Sequence, residues 1–320
     1  MKRNVLWLVF MLGYIFRLSA QNEAPFSQYH MALGYYNPAS AGRSGELDVS
    51  ALYRLQWVGW SNAPKTTFAT ANMPFRFMKK EHGVGVVVVS DNISSLYQDL
   101  SAGLQYAYLK KIGNGTLRAG VQLGMVSRTA GGALIITPDS TDSSGGSDIA
   151  IPSSKIEKKV FDANLGLYYA TDKWFVGVAV MHLLEPVIET DNLYTFINRG
   201  YNFTGGYNIR LTNPLFELQP SVFVQTNLNT YRADLTARAV YGKKYSAGLS
   251  WRVNENRLAD AVVWMLGATF GKIEGGYAYD IPLSNVGRGT TGSHELFLRY
   301  KMQLNKPKTG KSKHKSVRLL

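Results

Sequence analysis

The side chains that most often carry catalysis or bind metals are few in this sequence, and their spacings match no catalytic motif. The five histidines are His30, His82, His182, His294 and His314, and no two have a metal-ligand spacing such as H-x-x-x-H. The sequence has no cysteine, no G-x-S-x-G elbow, no P-loop and no G-x-G-x-x-G turn. We expect no enzyme, metal or cofactor, although a pairing of His294 with a nearby serine stays open as a hydrolytic alternative.

One acidic stretch has the residue types of a calcium site. Residues 138–148 are low in complexity and contain Asp139, Asp142 and Asp148, whose carboxylates are ligands that Ca²⁺ prefers. The stretch lacks the ordered ligand spacing of a calcium-binding loop. A solvated outer loop is therefore the favoured interpretation.

The net charge of +13 is concentrated at the two ends of the chain. When the basic residues of the two ends are set aside, the rest of the chain carries about +4. This distribution argues against a nucleic-acid partner. Residues 303–320 form a basic tail, which is either a disordered solubilising end or a contact with an anionic surface. The end residues are Lys2, Arg3, Arg17, Lys306, Lys308, Lys311, Lys313, Lys315 and Arg318.

Residues 1–20 have the features of a secretory signal peptide. Lys2 and Arg3 form a basic start, and an apolar stretch of twelve residues runs from Val5 to Phe16. Small residues then precede a cleavage point after Ala20. After residue 20 no apolar run approaches the roughly 18 residues that a transmembrane helix needs. We therefore expect an exported chain without a transmembrane helix.

From residue 46 to residue 302, apolar and polar residues alternate with a period of two, which predicts β-strands. Leu117 to Met125, for example, are apolar at every odd position. The sequence predicts an all-β fold of about fourteen antiparallel strands. Their predicted ranges are 46–57, 66–75, 83–91, 98–109, 116–125, 160–170, 174–182, 201–211, 216–226, 232–241, 245–252, 261–270, 273–280 and 293–302.

Three features favour a transmembrane β-barrel over a soluble sandwich. The predicted strands have roughly nine to twelve residues, the length that a tilted strand needs to cross a bilayer. Aromatic residues such as Tyr53, Trp57 and Trp251 lie near the ends of the apolar faces, as in the aromatic belts of outer-membrane barrels. Short connections also alternate with longer ones, among them 183–199, 253–259 and 281–292, as periplasmic turns and outer loops do. We therefore predict an outer-membrane location.

The alternation turns polar side chains of both signs toward the lumen, which favours a salt-bridged interior over an ion-selective pore. Fourteen strands enclose more space than the strand side chains fill. Residues 21–45 precede the first strand and are rich in aromatics. We expect this N-terminal segment to lie in the lumen or at the periplasmic mouth of the barrel.

Three stretches are more specific than this pattern. The first is PFSQY at 25–29 followed by YNPA at 36–39. The second is LYRLQWVG at 52–59 followed by APKT at 63–66, and the third is GYAYD at 276–280 followed by GSHEL at 292–296. In this order and at these separations they resemble the PorP/SprF family of Bacteroidota outer-membrane proteins, from about residue 24 to about residue 302.

The resemblance implies a non-catalytic barrel of the type IX secretion system. Such a barrel aids export or surface anchoring of a secreted adhesin or other cargo, recognised through its C-terminal domain, and gliding motility is one outcome. Other secretion components are implied partners, including a periplasmic peptidoglycan-binding protein, together with outer-membrane lipid. The basic tail departs from the family pattern. A passive channel or hydrophobic-solute transporter is the alternative.

The motif residues have two open interpretations, architecture and partner contact. Asn37-Pro38 and Ala63-Pro64 are turn-forming pairs, and Trp57 and Trp60 suit a membrane interface. The positions taken over from the motifs are Phe26, Ser27, Gln28, Tyr29, Asn37, Pro38, Arg54, Gln56, Trp57, Gly59, Pro64, Tyr277, Tyr279, Asp280, Ser293, His294 and Glu295.

Overall fold

A computed structural model describes residues 24–93, 97–130, 156–190, 193–284, 287 and 289–304. The predicted signal peptide 1–20, the acidic stretch 138–148 and residues 305–320 of the basic tail lie outside these ranges. Within them, no helix is both long and apolar enough to cross a membrane.

The described chain is built almost entirely from antiparallel strands. Two short helices come first, α1 (Leu33–Tyr36) and a 3₁₀ helix (Pro38–Ser40). The strands are β1 (Leu47–Leu55), β2 (Lys65–Phe77), β3 (Lys80–Asn92), β4 (Tyr97–Ile112), β5 (Gly115–Ala130), β6 (Ile156–Ala170), β7 (Trp174–Met181), β8 (Val187–Thr190), β9 (Leu193–Phe196), β10 (Gly200–Tyr207), β11 (Ile209–Arg210), β12 (Phe216–Thr226), β13 (Tyr231–Tyr241), β14 (Tyr245–Asn254), β15 (Arg257–Phe270), β16 (Ile273–Pro282) and β17 (Ser293–Met302).

Fourteen of these strands form a closed barrel, which confirms the predicted fold. Each of the fourteen strands pairs with its sequence neighbour, and β10 pairs with both β7 and β12. The pairing of β1 with β17 closes the ring, with Leu47 opposite Met302 and Leu55 opposite His294. β8 and β9 form a separate hairpin between β7 and β10, and β11 pairs only with β12.

The two ends of the barrel differ in their connections. At the short-turn end the connections are 78–79, 113–114, 171–173, 208–215, 242–244 and 271–272. At the loop end they are 56–64, 93–96, 131–155, 182–199, 227–230, 255–256 and 283–292. The prediction of a longer loop at 253–259 was wrong, because Asn254 pairs directly with Arg257 and leaves only two residues in the turn. β4 and β5, at 16 residues each, exceed the predicted strand length because polar residues continue the ladder beyond the apolar stretch.

The outer surface of the barrel is apolar at mid-strand. Leu104, Leu123 and Phe161 are 71%, 64% and 74% exposed, and all three lie on outward-facing positions. Such side chains suit acyl chains, since an outer-membrane barrel presents an apolar band to lipid. The inward positions of the same strands include Gln105, Gln122 and other polar residues.

The aromatic core of the protein lies inside the barrel and comes from the N-terminal segment. Phe26, Tyr29 and Tyr36 are buried against strand side chains such as Phe68 and Phe223. The segment hydrogen-bonds to strands all around the ring, including β2, β4, β5, β10, β12 and β17. The structure thus places residues 24–44 in the lumen, one of the two predicted positions. We call residues 24–44 the plug.

Candidate functional site

A network of six buried charges lies in the lumen next to the start of the plug. It consists of Arg54 on β1, Arg232 and Asp234 on β13, Arg252 on β14, Asp280 on β16 and Glu295 on β17. The period-two alternation turns all six inward. Register then brings partners together, because Arg54 lies directly opposite Glu295 and Asp234 lies opposite Arg252. We call this set the charge network.

The charges in the network alternate in sign. Arg54 Nη2 lies 2.9 Å from Asp280 Oδ2, and Arg54 Nη1 lies 3.3 Å from Glu295 Oε2. Arg252 lies 2.8 Å from both Asp280 and Asp234. Arg232 Nε completes the chain at 2.8 Å from Asp234 Oδ2. Three cations and three carboxylates balance one another, and this pairing makes their burial tolerable, since a lone buried charge is strongly destabilising.

The network binds the backbone and one hydroxyl of the plug. Glu295 Oε2 accepts a hydrogen bond from Ser27 N at 2.8 Å, and Oε1 accepts one from Gln28 N at 2.7 Å. The Ser27 hydroxyl donates to Asp280 Oδ1 at 2.5 Å and accepts from Arg54 Nη1 at 2.7 Å. Residues from all three sequence motifs therefore meet in one site.

Further contacts come from residues outside the motifs. Arg252 Nη2 donates to the Ser27 hydroxyl at 3.1 Å, and Arg232 Nη2 donates to Phe26 O at 2.8 Å. The period-two alternation in 232–241 and 245–252 turns Arg232, Asp234 and Arg252 toward the lumen. It did not identify them as parts of this site, because their partners lie on other strands.

Aromatic packing holds the middle of the plug. Tyr29 stacks on Phe223 with ring centroids 5.1 Å apart, and its hydroxyl lies 2.7 Å from Ser221 Oγ. Burial raises the pKa of the Tyr29 hydroxyl. Phe26 packs against Phe68 at 5.7 Å, and Tyr36 packs against Phe223 at 4.5 Å.

His30 lies in a strongly basic part of the lumen. Removal from bulk water lowers its pKa well below the usual value of 6.5, and the positive charges of Arg238, Arg299 and Arg43 lower it further. His30 is therefore neutral when the plug is seated.

The Asn37-Pro38 pair occupies a slot lined by glycine. Asn37 Nδ2 donates to Leu167 O at 3.0 Å and to Val178 O at 3.2 Å, so it binds β6 and β7 together. Asn37 Oδ1 accepts from Ala39 N at 2.9 Å and caps the 3₁₀ helix, in which Pro38 is the first residue. A Cβ at Gly120 would overlap the backbone of Ala39, so the close approach of plug and wall requires glycine.

A cavity of about 440 Å³ opens above the charge network at the loop end. Pro25, Gln56, Trp57, Pro64 and Ser293 contribute to its walls, together with Asp280 from the network. We call it the vestibule. Three side chains without a place in the network, Asp91, Glu255 and Asp260, give its walls further negative charge.

Two loops beside the vestibule are joined by hydrogen bonds. Val58 N donates to Gly292 O, and Thr291 N donates to Val58 O, both at 2.8 Å. Trp57 N donates to Ser293 Oγ at 3.1 Å. Gly59 has a φ of +107°, a conformation that favours glycine, where the 56–64 loop approaches the 283–292 loop. Gln56, Trp57, Gly59, Pro64 and Ser293 thus all belong to this part of the loop end.

Three motif residues lie away from the site, on the outer wall. Tyr277 Oη is 2.6 Å from His294 Nδ1, and Tyr279 Oη donates to Thr291 O at 2.6 Å. The imidazole of His294 lies near both tyrosine rings, at centroid distances of 6.1 and 5.0 Å. Their positions suit the architectural interpretation.

A different histidine has a carboxylate partner. His182 Nδ1 lies 2.6 Å from Asp162 Oδ2 at the start of the 182–199 connection. Sequence reasoning missed this pair because its members are 20 residues apart, Asp162 on β6 and His182 in the connection just after β7. Within the described ranges, no group of three His, Asp or Glu side chains could hold a metal ion.

The fold and the site define an outer-membrane β-barrel whose lumen is occupied by its own N-terminal segment. The family described as "Type IX secretion system membrane protein PorP/SprF" matches residues 18–300. The chain therefore belongs to this family, as the three motifs predicted, and it resides in the outer membrane.

Solved structures of other outer-membrane barrels share the fold. The toluene transporter TbuX of Ralstonia pickettii is 11% identical with a TM-score of 0.50, covering 86% of this chain and 94% of TbuX. The toluene transporter TodX of Pseudomonas putida is also 11% identical with a TM-score of 0.50, covering 89% of this chain and 95% of TodX. At this identity the likeness concerns the fold alone. No curated protein matches the chain.

Proposed function

We propose that this barrel aids export or surface anchoring of a secreted protein, such as an adhesin, which it recognises through the C-terminal domain of that cargo. It does so without catalysis and together with other components of the type IX secretion system. The observation that carries the proposal is the plugged lumen. Six buried charges hold the plug, so the barrel acts as a closed holder rather than a conduit.

The loop end supplies a surface for the cargo. The vestibule has an apolar wall at Trp57, Pro64 and Pro282 above a charged floor. Trp60 is 46% exposed in the adjoining loop and packs at 5.8 Å from Trp57. Exposed aromatic side chains beside a cavity are common anchors of protein partners.

Deletion and complementation test the proposal. Deleting the gene in the source bacterium should remove at least one large protein from the surface proteome, and the wild-type gene should restore it. Trp60→Ala should restore less surface cargo than Leu228→Ala, a matched exposed apolar change at the loop end. If no surface protein disappears on deletion, the proposal is wrong. If both variants restore cargo equally, the Trp60 surface is not the contact.

The alternative is a passive channel or a hydrophobic-solute transporter. Its support is the fold shared with the toluene transporters TbuX and TodX. Purified barrel in planar bilayers separates the two proposals. We expect almost no conductance from the full mature chain and a large conductance after deletion of residues 24–45. Conductance or toluene uptake by the full chain would favour transport.

A further inference from the structure

The turns of the short-turn end are ringed by lysine. Five of its six connections carry exposed lysines in the turn or beside it, and the sixth, 208–215, has none. Among the described residues, none of these lysines forms an ion pair with a carboxylate within 4 Å. The eight lysines are Lys79, Lys80, Lys110, Lys111, Lys173, Lys243, Lys244 and Lys272. We call them the lysine ring.

The loop end has a different charge pattern in the part that the structure describes. Lys159 pairs with Glu157 at 3.2 Å, and Arg199 pairs with Glu185 at 3.3 Å. Acidic side chains also line the vestibule there. The excess positive charge of the barrel wall therefore belongs to one end, which the sequence alone does not reveal.

Apolar side chains lie immediately next to the lysine ring on the outer wall. Phe77 and Met78 are 57% and 78% exposed beside Lys79, and Phe270 and Ile273 are 69% and 50% exposed on either side of Lys272. The same order recurs at two further turns, with Trp174 beside Lys173 and with Tyr241 and Tyr245 beside Lys243 and Lys244, whereas Lys110 and Lys111 precede the exposed Ile112 in β4.

The order of exposed apolar residues and lysines along the chain indicates how far the lysine ammonium groups lie from the centre of the membrane. Exposed aromatic residues at a strand end mark the level of the lipid headgroups. A lysine one or two residues further along can keep its stem along the apolar surface and place its charge at the headgroup phosphates. A protein partner would explain the positive charge of the lysines but not the exposed apolar side chains next to them on the lipid-facing wall.

We propose that the lysine ring binds the headgroups of anionic phospholipids, of the phosphatidylglycerol type, in the leaflet around the short-turn end. The source is phospholipid rather than lipid A, because short turns of outer-membrane barrels lie on the periplasmic side. The ring binds several lipids at once and fixes the barrel against vertical displacement in the membrane.

Two charge-matched variants of the full mature chain test the inference. One carries Lys79→Gln, Lys111→Gln, Lys243→Gln and Lys272→Gln in the ring. The other carries Lys65→Gln, Lys158→Gln, Lys159→Gln and Arg257→Gln, which are exposed side chains at the loop end. Both variants lose four positive charges and keep the basic tail, so net charge and tail effects cancel.

Native mass spectrometry of the detergent-solubilised barrel would measure retained phosphatidylglycerol, phosphatidylcholine and lipid A. One lysine near an anionic surface contributes roughly a fivefold gain in affinity. We therefore expect the ring variant to bind phosphatidylglycerol at least tenfold more weakly, while the loop-end variant binds it like the wild type.

Three outcomes would overturn the inference. The ring variant could retain wild-type phosphatidylglycerol affinity, both variants could lose it equally, or the wild type could prefer lipid A. An acidic protein could copurify with the wild type and with the loop-end variant but not with the ring variant. If lipid retention were then unchanged, the ring would bind a protein partner instead. A salt-dependent loss of phosphatidylglycerol from the wild type would support the headgroup contact, since exposed charge pairs are screened.

Discussion

Glu295→Gln should release the plug while leaving the barrel wall intact. Glu295 is 0% exposed, and its two carboxylate oxygens accept the backbone hydrogen bonds of Ser27 and Gln28. Glutamine has nearly the same shape but offers one oxygen and one NH₂ group. The NH₂ group would face a backbone N–H, and Arg54 would lose one of its two carboxylate partners.

The free energy that Glu295→Gln would remove from the seated plug can be estimated in two ways. A hydrogen bond to a charged acceptor contributes roughly 1.5–3 kcal/mol, and a buried donor left without an acceptor costs a further 1–3 kcal/mol. Breaking a buried ion pair by removing one partner costs roughly 3–5 kcal/mol. These figures describe the same contacts and are not additive, so we expect a loss of about 3–5 kcal/mol. The ratio of seated to unseated plug should then fall by roughly two to four orders of magnitude.

A single introduced cysteine measures this ratio, because the natural chain has none. Ser40→Cys is a small change at a buried plug position, 7% exposed. A maleimide attached to a polymer too large to enter the plugged barrel would react only when the plug is out. In Glu295→Gln the labelling rate should rise by roughly two to four orders of magnitude. The thermal unfolding temperature of the barrel should change little.

The control makes the same chemical change at an exposed carboxylate. Glu255→Gln lies in the turn at 255–256, where Glu255 accepts a hydrogen bond from Tyr231 N at 3.1 Å. An exposed substitution of this kind usually changes stability by less than about 0.5 kcal/mol. Equal labelling rates in Glu295→Gln, Glu255→Gln and the reporter alone would refute the claim that the carboxylate holds the plug.

Two further changes test the plug with the same labelling assay. Gly120→Ala forces a methyl group into the backbone of Ala39 and should destabilise the seated plug by roughly 1–3 kcal/mol, whereas Gly275→Ala, which meets only Phe297 O at 3.8 Å, should not. Because the pKa of His30 is lowered in the seated state, seating is stable above pH 6.5 and weakens below it, by at most about tenfold per pH unit. His30→Gln should flatten this slope between pH 7.5 and pH 5.5, and an unchanged slope would assign it to other groups.

Much of the wall was predictable because its pattern is local. Alternation places neighbouring residues of a strand on opposite faces. It therefore predicts that Glu295 faces the lumen and that His294 faces the lipid. The prediction of a longer loop at 253–259 was wrong because Asn, Glu and Arg are frequent in loops. In this protein Asn254 and Arg257 are the last pair of a tight hairpin.

The site was less predictable because its geometry depends on ring closure. Arg54 meets Glu295 only through the register of β1 with β17, across 241 residues of chain. The role of Gly120 depends on the depth to which the plug enters, which no local pattern encodes. The motif resemblance identified Arg54, Asp280 and Glu295 of the charge network, but it gave neither their partners nor the other three members.

The ion pair between Arg54 on β1 and Glu295 on β17 also determines the order in which the barrel and the plug assemble. Ser27 and Glu295, whose carboxylate binds the Ser27 backbone, are 268 residues apart, so the plug completes its contacts only after β17 has paired. Until β17 closes on β1, Arg54 and Glu295 have no counterpart across the seam. Binding of the plug in the lumen therefore requires a closed barrel. A truncated or stalled chain would leave the plug exposed to proteases.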